Sequence, residues 1–329
     1  MTVNSDRIPP RALPLLYFGA AHLSLALAFF FAACWPHAVA GFFYHAWLVG
    51  LVHLVTLGWI TFSILGAMYI VGPLALRMEL RPRRMDYVAY ACGVVGLVGM
   101  VGHFWIHEYP GMAWSAATIA AGVLYMTGRF IAGIRRATVQ PAVTLHIVLA
   151  CVNFWFAASM GLLIAFDKFT HFLPGFVIAN VFAHAHLAAL GWATMMVVGV
   201  GYRMLPMLFP SKMATPRSMY ASAVLLEVGV LGLFWTLLLR SPRSIVFGIA
   251  IVAGLVAFAT RVVWMRRHMV SKPVGVPRTD FGVLHAAGAA VSLVAAATLG
   301  LLLLFQPSSP QMLHVAAAYG VFGLIGFLA

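Results

Sequence analysis

Two histidines open the same phrase. His53-Leu54-Val55-Thr56-Leu57-Gly58-Trp59-Ile60-Thr61 continues through Gly66 and Tyr69 to Pro73, and His186-Leu187-Ala188-Ala189-Leu190-Gly191-Trp192-Ala193-Thr194 continues through Gly199 and Tyr202 to Pro206. Nine of 21 aligned positions are identical, where an apolar-biased composition gives roughly two or three by chance. An imidazole inside lipid costs free energy, so keeping it twice at one place in a repeated phrase points to a task. The task an imidazole nitrogen performs best in such surroundings is to hold a transition metal or heme iron. On an ideal helix His53 shares its face with Leu57, Ile60, Ile64 and Ala67, and His186 with Leu190, Ala193, Val197 and Val200. One nitrogen donor above an aliphatic stripe suits an axial ligand, with side chains packed on a flat macrocycle. The competing reading is a histidine that only hydrogen-bonds a carbonyl in a packed bundle. Gly58, Gly66, Gly191 and Gly199 point away from that stripe and let neighbouring helices approach closely.

The other candidates are weighed in the same way. His184 and His186 are about 200° apart around a helix, so they cannot share one metal without distorting it. They address two centres on opposite flanks, or one binds while the other hydrogen-bonds. A second internal match aligns Leu145–Phe166 with Leu284–Phe305, ten of 22 positions identical, and contains His146 and His285. Those two lie near helix ends and read as packing residues. Glu227 stands between Leu226 and Val228 as the one acidic residue well inside an apolar run. An intramembrane carboxyl needs a partner or a proton, so it is the candidate catalytic group; a proton relay, a metal-adjacent role and a neutral hydrogen-bonded acid all stay open. Cys34, Cys92 and Cys151 read as small buried hydrophobes, and no C-x-x-C-H occurs, so any heme is held noncovalently. No H-E-x-x-H occurs, which argues against a zinc protease.

The elements that position these groups must be membrane helices. With 63% hydrophobic and 8% charged residues and a mean hydropathy of +0.99, the fold class is all-α, a polytopic transmembrane bundle forming one membrane domain. Ten spans are expected, at about 12–34, 43–73, 86–106, 112–133, 141–165, 174–208, 218–240, 244–264, 281–305 and 312–329. The two internal matches have offsets of 133 and 139, so the repeat is four spans long. An even number of spans preserves orientation; the copies are parallel about a pseudo-threefold axis along the membrane normal, at 12–140, 141–280 and a truncated 281–329. Span ten is then the third histidine helix, and it carries His314. The sequence ends at Phe327-Leu328-Ala329, inside that unit, which reads as a fragment lacking two spans. Met1–Pro10 shows no signal peptide. The net charge of +13 is topology and not a nucleic-acid site: seventeen of the 20 Lys and Arg fall on the N-terminal side, against Lys168, Arg240 and Arg243 opposite. The N-terminus is accordingly expected in the cytoplasm and the protein in the inner membrane, with lipid as its first partner.

On its histidine helices and architecture the chain resembles subunit I of the heme–copper oxidase superfamily, above all its C-type and nitric-oxide-reductase-like members. The resemblance implies twelve spans in three four-helix arcs, with ligands from spans two, six, seven and ten. It implies that His53 ligates a low-spin b-type heme, that His314 is the span-ten ligand, and that His184 or His186 stands at the copper position. It also implies an electron-donor cytochrome or a partner oxidase subunit. Span seven, Ser218 to Leu239, lacks the family's paired histidines, and span ten has one histidine in place of H-x-H. The copper site is therefore incomplete, and the pattern is closer to noncatalytic relatives, including heme membrane proteins associated with nitric-oxide stress. The expected function is electron transfer or handling of nitric oxide or dioxygen by bis-histidine heme. The alternatives are an active terminal oxidase or nitric oxide reductase, a copper permease and an inert scaffold.

Overall fold

The computed structural model describes residues 11–39, 42–270, 281–306 and 309–329. The N-terminal stretch Met1–Pro10 and, among the basic residues, Arg7, Lys272 and Arg278 lie outside the described residues. Among those described the chain is helical throughout, and nine helices are long and apolar enough to cross a membrane. They are α1 (Ala12–Cys34), α2 (Ala46–Leu74), α3 (Arg84–Trp105), α4 (Tyr109–Ile134), α5 (Pro141–Thr170), α6 (Val177–Leu208), α7 (Pro216–Leu238), α8 (Ser244–Arg267) and α9 (Phe281–Phe305). A shorter apolar helix, α10 (Gln311–Phe327), follows. Large apolar side chains stand on the outside of the helices, Val95 at 68% and Val291 at 70% exposure among them. In water that would be costly; in lipid it is the solvated state. The chain is a multi-pass membrane protein.

Two compact units share these helices. Unit 1 runs to Val139 and includes Phe154–His184; unit 2 comprises Gln140–Asn153 and Ala185–Ala329. Small residues bring helices together within each. In unit 1, α3 and α4 approach so closely that a methyl group on Gly96 would lie 2.8 Å from both the Ile119 backbone nitrogen and the Ser115 carbonyl oxygen. In unit 2 the α7–α8 pair repeats the device at Gly229, against Ile251, and Gly254, against Leu226. Backbone cannot retreat as a side-chain tip can. Gly96→Ala is therefore expected to cost about 1–3 kcal/mol despite alanine's better helix propensity. Gly102→Ala on the same helix, where nothing lies within 4 Å, is expected to be neutral or slightly stabilising. Thermal unfolding of the two variants in detergent checks the sign difference.

The phrase helices also pack through glycine. Gly58 of α2 faces Ser24 and Gly66 faces Tyr17, both on α1. Gly191 of α6 faces Asn153 and Gly199 faces His146, both on α5. Gly326 of α10 faces Ser292 of α9. Helices α2, α6 and α10 also each change their backbone winding. The π-helical stretches Leu54–Thr61 and Leu187–Thr194 begin on the residue after His53 and after His186, and Val321–Phe327 is the third. A π turn takes up an extra residue, so the face drawn from each histidine on an ideal helix does not continue past it. The apolar stripes expected beneath His53 and His186 are corrected by this change of period.

Candidate functional site

In unit 1, His53 ends the first α-helical part of α2 and His184 is the eighth residue of α6. The Nδ1 of His53 donates to the Val49 carbonyl at 2.8 Å, and that of His184 to the Ala157 carbonyl of α5 at 2.9 Å. A carbonyl only accepts, so each ring carries its proton on Nδ1 and its lone pair on Nε2. Among the described residues neither Nε2 has a hydrogen-bond partner. The two imidazoles are within electrostatic reach of each other and both are half-buried. The bond of His53 to the carbonyl four residues back is shared by His22, His103, His146, His268 and His285, so alone it signifies little. His184 is different, because its bond crosses to another helix. Gly161 gives it room: a methyl group there would lie 2.8 Å from the His184 Cε1. The His53 ring is stacked on Phe104, centroids 5.6 Å apart and planes 26° apart. An imidazole whose Nδ1 is fixed on a carbonyl and whose Nε2 is unpaired has the disposition of a metal ligand.

In unit 2, His186 stacks on Tyr319 of α10, centroids 5.8 Å apart at 20°. His184 and His186 thus have different partners. His314 sits one turn into its helix and is exposed. The glycine packing sets the register of that helix. The histidine precedes Gly58 and Gly191 by five residues, and five residues before Gly326 is Val321, not His314. Sequence identity could not show this, because the shift is visible only from which residue of α9 each position touches.

Glu227 lies half-buried in α7 and accepts a 2.8 Å hydrogen bond from the Asn153 amide. No Lys or Arg pairs with it among the described residues. Cys34, Cys92 and Cys151 are not disulfide-bonded. Among the described residues no three His, Cys, Asp or Glu side chains converge.

A second acidic group, unremarked in the sequence, is buried more deeply than Glu227. Asp86, in the first turn of α3, is fully buried. It accepts from the Tyr69 hydroxyl at 2.8 Å, the Tyr125 hydroxyl at 3.1 Å and the Arg83 backbone N–H at 2.9 Å, and forms an ion pair with Arg129. Arg129 also donates to the Arg81 carbonyl at 3.0 Å. Two signals were available: an aspartate three residues into a helix start, and an arginine well inside α4 that needed a counter-charge.

No known protein family, curated protein or solved structure matches this chain.

Proposed function

We propose that this chain is a heme-binding inner-membrane protein of the oxidase subunit I fold, serving electron transfer or the handling of nitric oxide or dioxygen. The observation that carries the reading is the His53–His184 pair: two imidazoles from different helices, each anchored through Nδ1, each with Nε2 unpaired, within electrostatic reach of each other in unit 1. A membrane interior leaves such nitrogens unsatisfied unless something fills them. Their chemistry fits heme iron, whose axial positions take neutral imidazole. His53 would be one ligand to the iron. The resemblance gives the second to His314, whereas the electrostatic coupling within unit 1 favours His184. His186 beside Tyr319, together with His314, supplies donors for a second centre. Copper is the weaker assignment, since α7 brings no histidine.

Held by these imidazoles, heme would supply one-electron redox chemistry. The chain's own contribution is to fix ring orientation through the Val49 and Ala157 carbonyls and to exclude water with its helices. The three glycine–polar contacts (Gly58 on Ser24, Gly191 on Asn153, Gly326 on Ser292) and the three π-helical stretches favour a four-helix unit used three times about a common axis, with α10 as the tenth span. The charge distribution favours a cytoplasmic N-terminus. An electron-donor cytochrome or oxidase subunit is the expected partner. The test is a pyridine-hemochrome spectrum of protein purified from heme-replete cells. At least one noncovalent heme b per chain is expected; a colourless, folded preparation overturns the proposal.

A further inference from the structure

Unit 1 gathers arginines at one end of its helices in excess of what membrane topology or the heme reading needs. The connection from α2 to α3, residues 75–83, contains Arg77, Arg81 and Arg83, and α3 opens on Arg84. The end of α4 packs beside this connection: a methyl group on Gly133 would lie 2.9 Å from the Met78 Cε. Arg135 and Arg136 follow just beyond Gly133. All six arginines are exposed. The connection also holds one exposed acid, Glu79, while Asp86 is buried and committed to Arg129. A positive-inside bias asks for less. The corresponding connection of unit 2, residues 209–215, has Lys212 as its one basic residue.

The backbone that carries these arginines is fixed. Leu76, Met78 and Leu80 are buried, and Arg77, Glu79 and Arg81 alternate with them on the exposed side. A period of two is that of an extended strap with its apolar side against the helices. Hydrogen bonds tie it down along its length. The Leu76 N–H donates to the Val71 carbonyl at 3.0 Å and the Met78 N–H to the Gly72 carbonyl at 2.9 Å. Further on, the Arg81 carbonyl accepts from Arg129 at 3.0 Å, and the Arg83 N–H donates to Asp86 at 2.9 Å. Side chains on a fixed backbone lose less freedom on binding than those of a mobile loop. The planar guanidinium fork matches two phosphate oxygens at once.

What lies next to the arginines identifies the source of the phosphate. Along α3, Met85, Val88, Ala91, Val95 and Val98 recur every three or four residues, and all are exposed. They form one apolar stripe that begins beside Arg84 and runs 13 residues (98 − 85). That is about 20 Å, enough to cross half of a ~30 Å hydrocarbon layer. A free phosphate or a nucleotide gains nothing from such a stripe. A phosphate with acyl chains beneath it gains contact along the whole of it.

We propose that the strap and the start of α3 form a binding site for an anionic phospholipid. Arg83 and Arg84 hold the phosphate, and the acyl chains lie along Met85, Val88, Val95 and Val98. Arg77, Arg81, Arg135 and Arg136 supply the surplus positive field that favours a headgroup of net negative charge over a zwitterionic one. Each basic residue at an anionic lipid surface contributes about a fivefold preference.

The test is native mass spectrometry of the delipidated full chain, given an equimolar mixture of phosphatidylglycerol and phosphatidylcholine with identical acyl chains. The wild type is expected to retain phosphatidylglycerol over phosphatidylcholine by roughly twentyfold or more. Arg83→Gln/Arg84→Gln lowers that ratio at least tenfold, and Arg84→Gln alone lowers it about fivefold if the double variant does not fold. Arg266→Gln/Arg267→Gln, which removes the same charge from unit 2, leaves it unchanged. Equal retention of the two lipids by the wild type overturns the proposal, as does an unchanged ratio in the folded Arg84 variants. An equal loss in the unit 2 variant also overturns it, by showing that net charge alone sets the preference. So does displacement of the lipid by an equal concentration of glycerol phosphate, which would mark a site for soluble anions. The readout is the mass of retained lipid, so this site and the heme reading fail separately.

Discussion

His53→Ala protein is expected to lose at least nine-tenths of the reduced b-type absorbance while still eluting as a folded species. The reason is specific to this side chain. Its Nδ1 is fixed on the Val49 carbonyl, its ring rests on Phe104, and its Nε2 has no protein partner. Alanine removes the donor without creating a buried charge, so on the proposed reading the loss is of bound heme more than of the fold. His184→Ala separates two pairings. If His184 is the opposite ligand, its loss converts a six-coordinate low-spin spectrum to a five-coordinate high-spin one and opens a position for carbon monoxide. If His314 is the opposite ligand, His314→Ala has that effect and His184→Ala does not. The electrostatic coupling of His53 and His184 predicts the first outcome. Absorbance of the reduced protein with and without carbon monoxide, normalised to heme per chain, reads all three variants. Unchanged heme content and spectrum in folded His53→Ala would sink the proposed function.

Much of the fold was legible because lipid imposes a simple code. Apolar runs of twenty or more residues with charges between them must be helices, and the expected α1 and α9 coincide with the helices found. Ends elsewhere moved by a few residues; α7 starts two residues earlier than expected because Pro216 supplies a preset first-turn conformation that hydropathy does not report. The repeated phrase correctly directed attention to its glycines, which do meet neighbouring helices. It could not announce the π-helical winding after each histidine, because a π turn is decided by neighbours across the helix interface and leaves no periodic trace. That winding invalidated the ideal-helix faces. His314 illustrates a different gap: a lone histidine in a poorly matching segment fixes no register, and the glycine of α10 that meets α9 at Ser292 is Gly326, twelve residues beyond it. The site itself was half legible. Which residues carry lone pairs follows from residue type, whereas His184 crossing to Ala157 is a fact of three dimensions.

Removing Asp86 is expected to be the most damaging single change to stability. Asp86→Ala leaves Arg129, its side chain only 13% exposed, without a counter-charge, and leaves the Tyr69 and Tyr125 hydroxyls without their acceptor. Breaking one side of a buried ion pair costs about 3–5 kcal/mol, because the surviving charge stays desolvated. For a chain of this size that corresponds to a melting temperature lower by on the order of 10 °C. Arg129→Ala is expected to be comparably harmful, since it strands the carboxylate and frees the Arg81 carbonyl that pins the connection from α2 to α3. Tyr69→Phe removes one hydroxyl donor of several and is expected to cost about 1–2 kcal/mol. The double replacement Asp86→Leu/Arg129→Leu decides between a charge effect and a shape effect. An apolar pair of similar bulk leaves no stranded ion, so the double variant should recover at least half of the loss seen in Asp86→Ala. Thermal unfolding in detergent measures all four. A double variant as unstable as the sum of its parts would show that the network acts through geometry and not through compensation of charge.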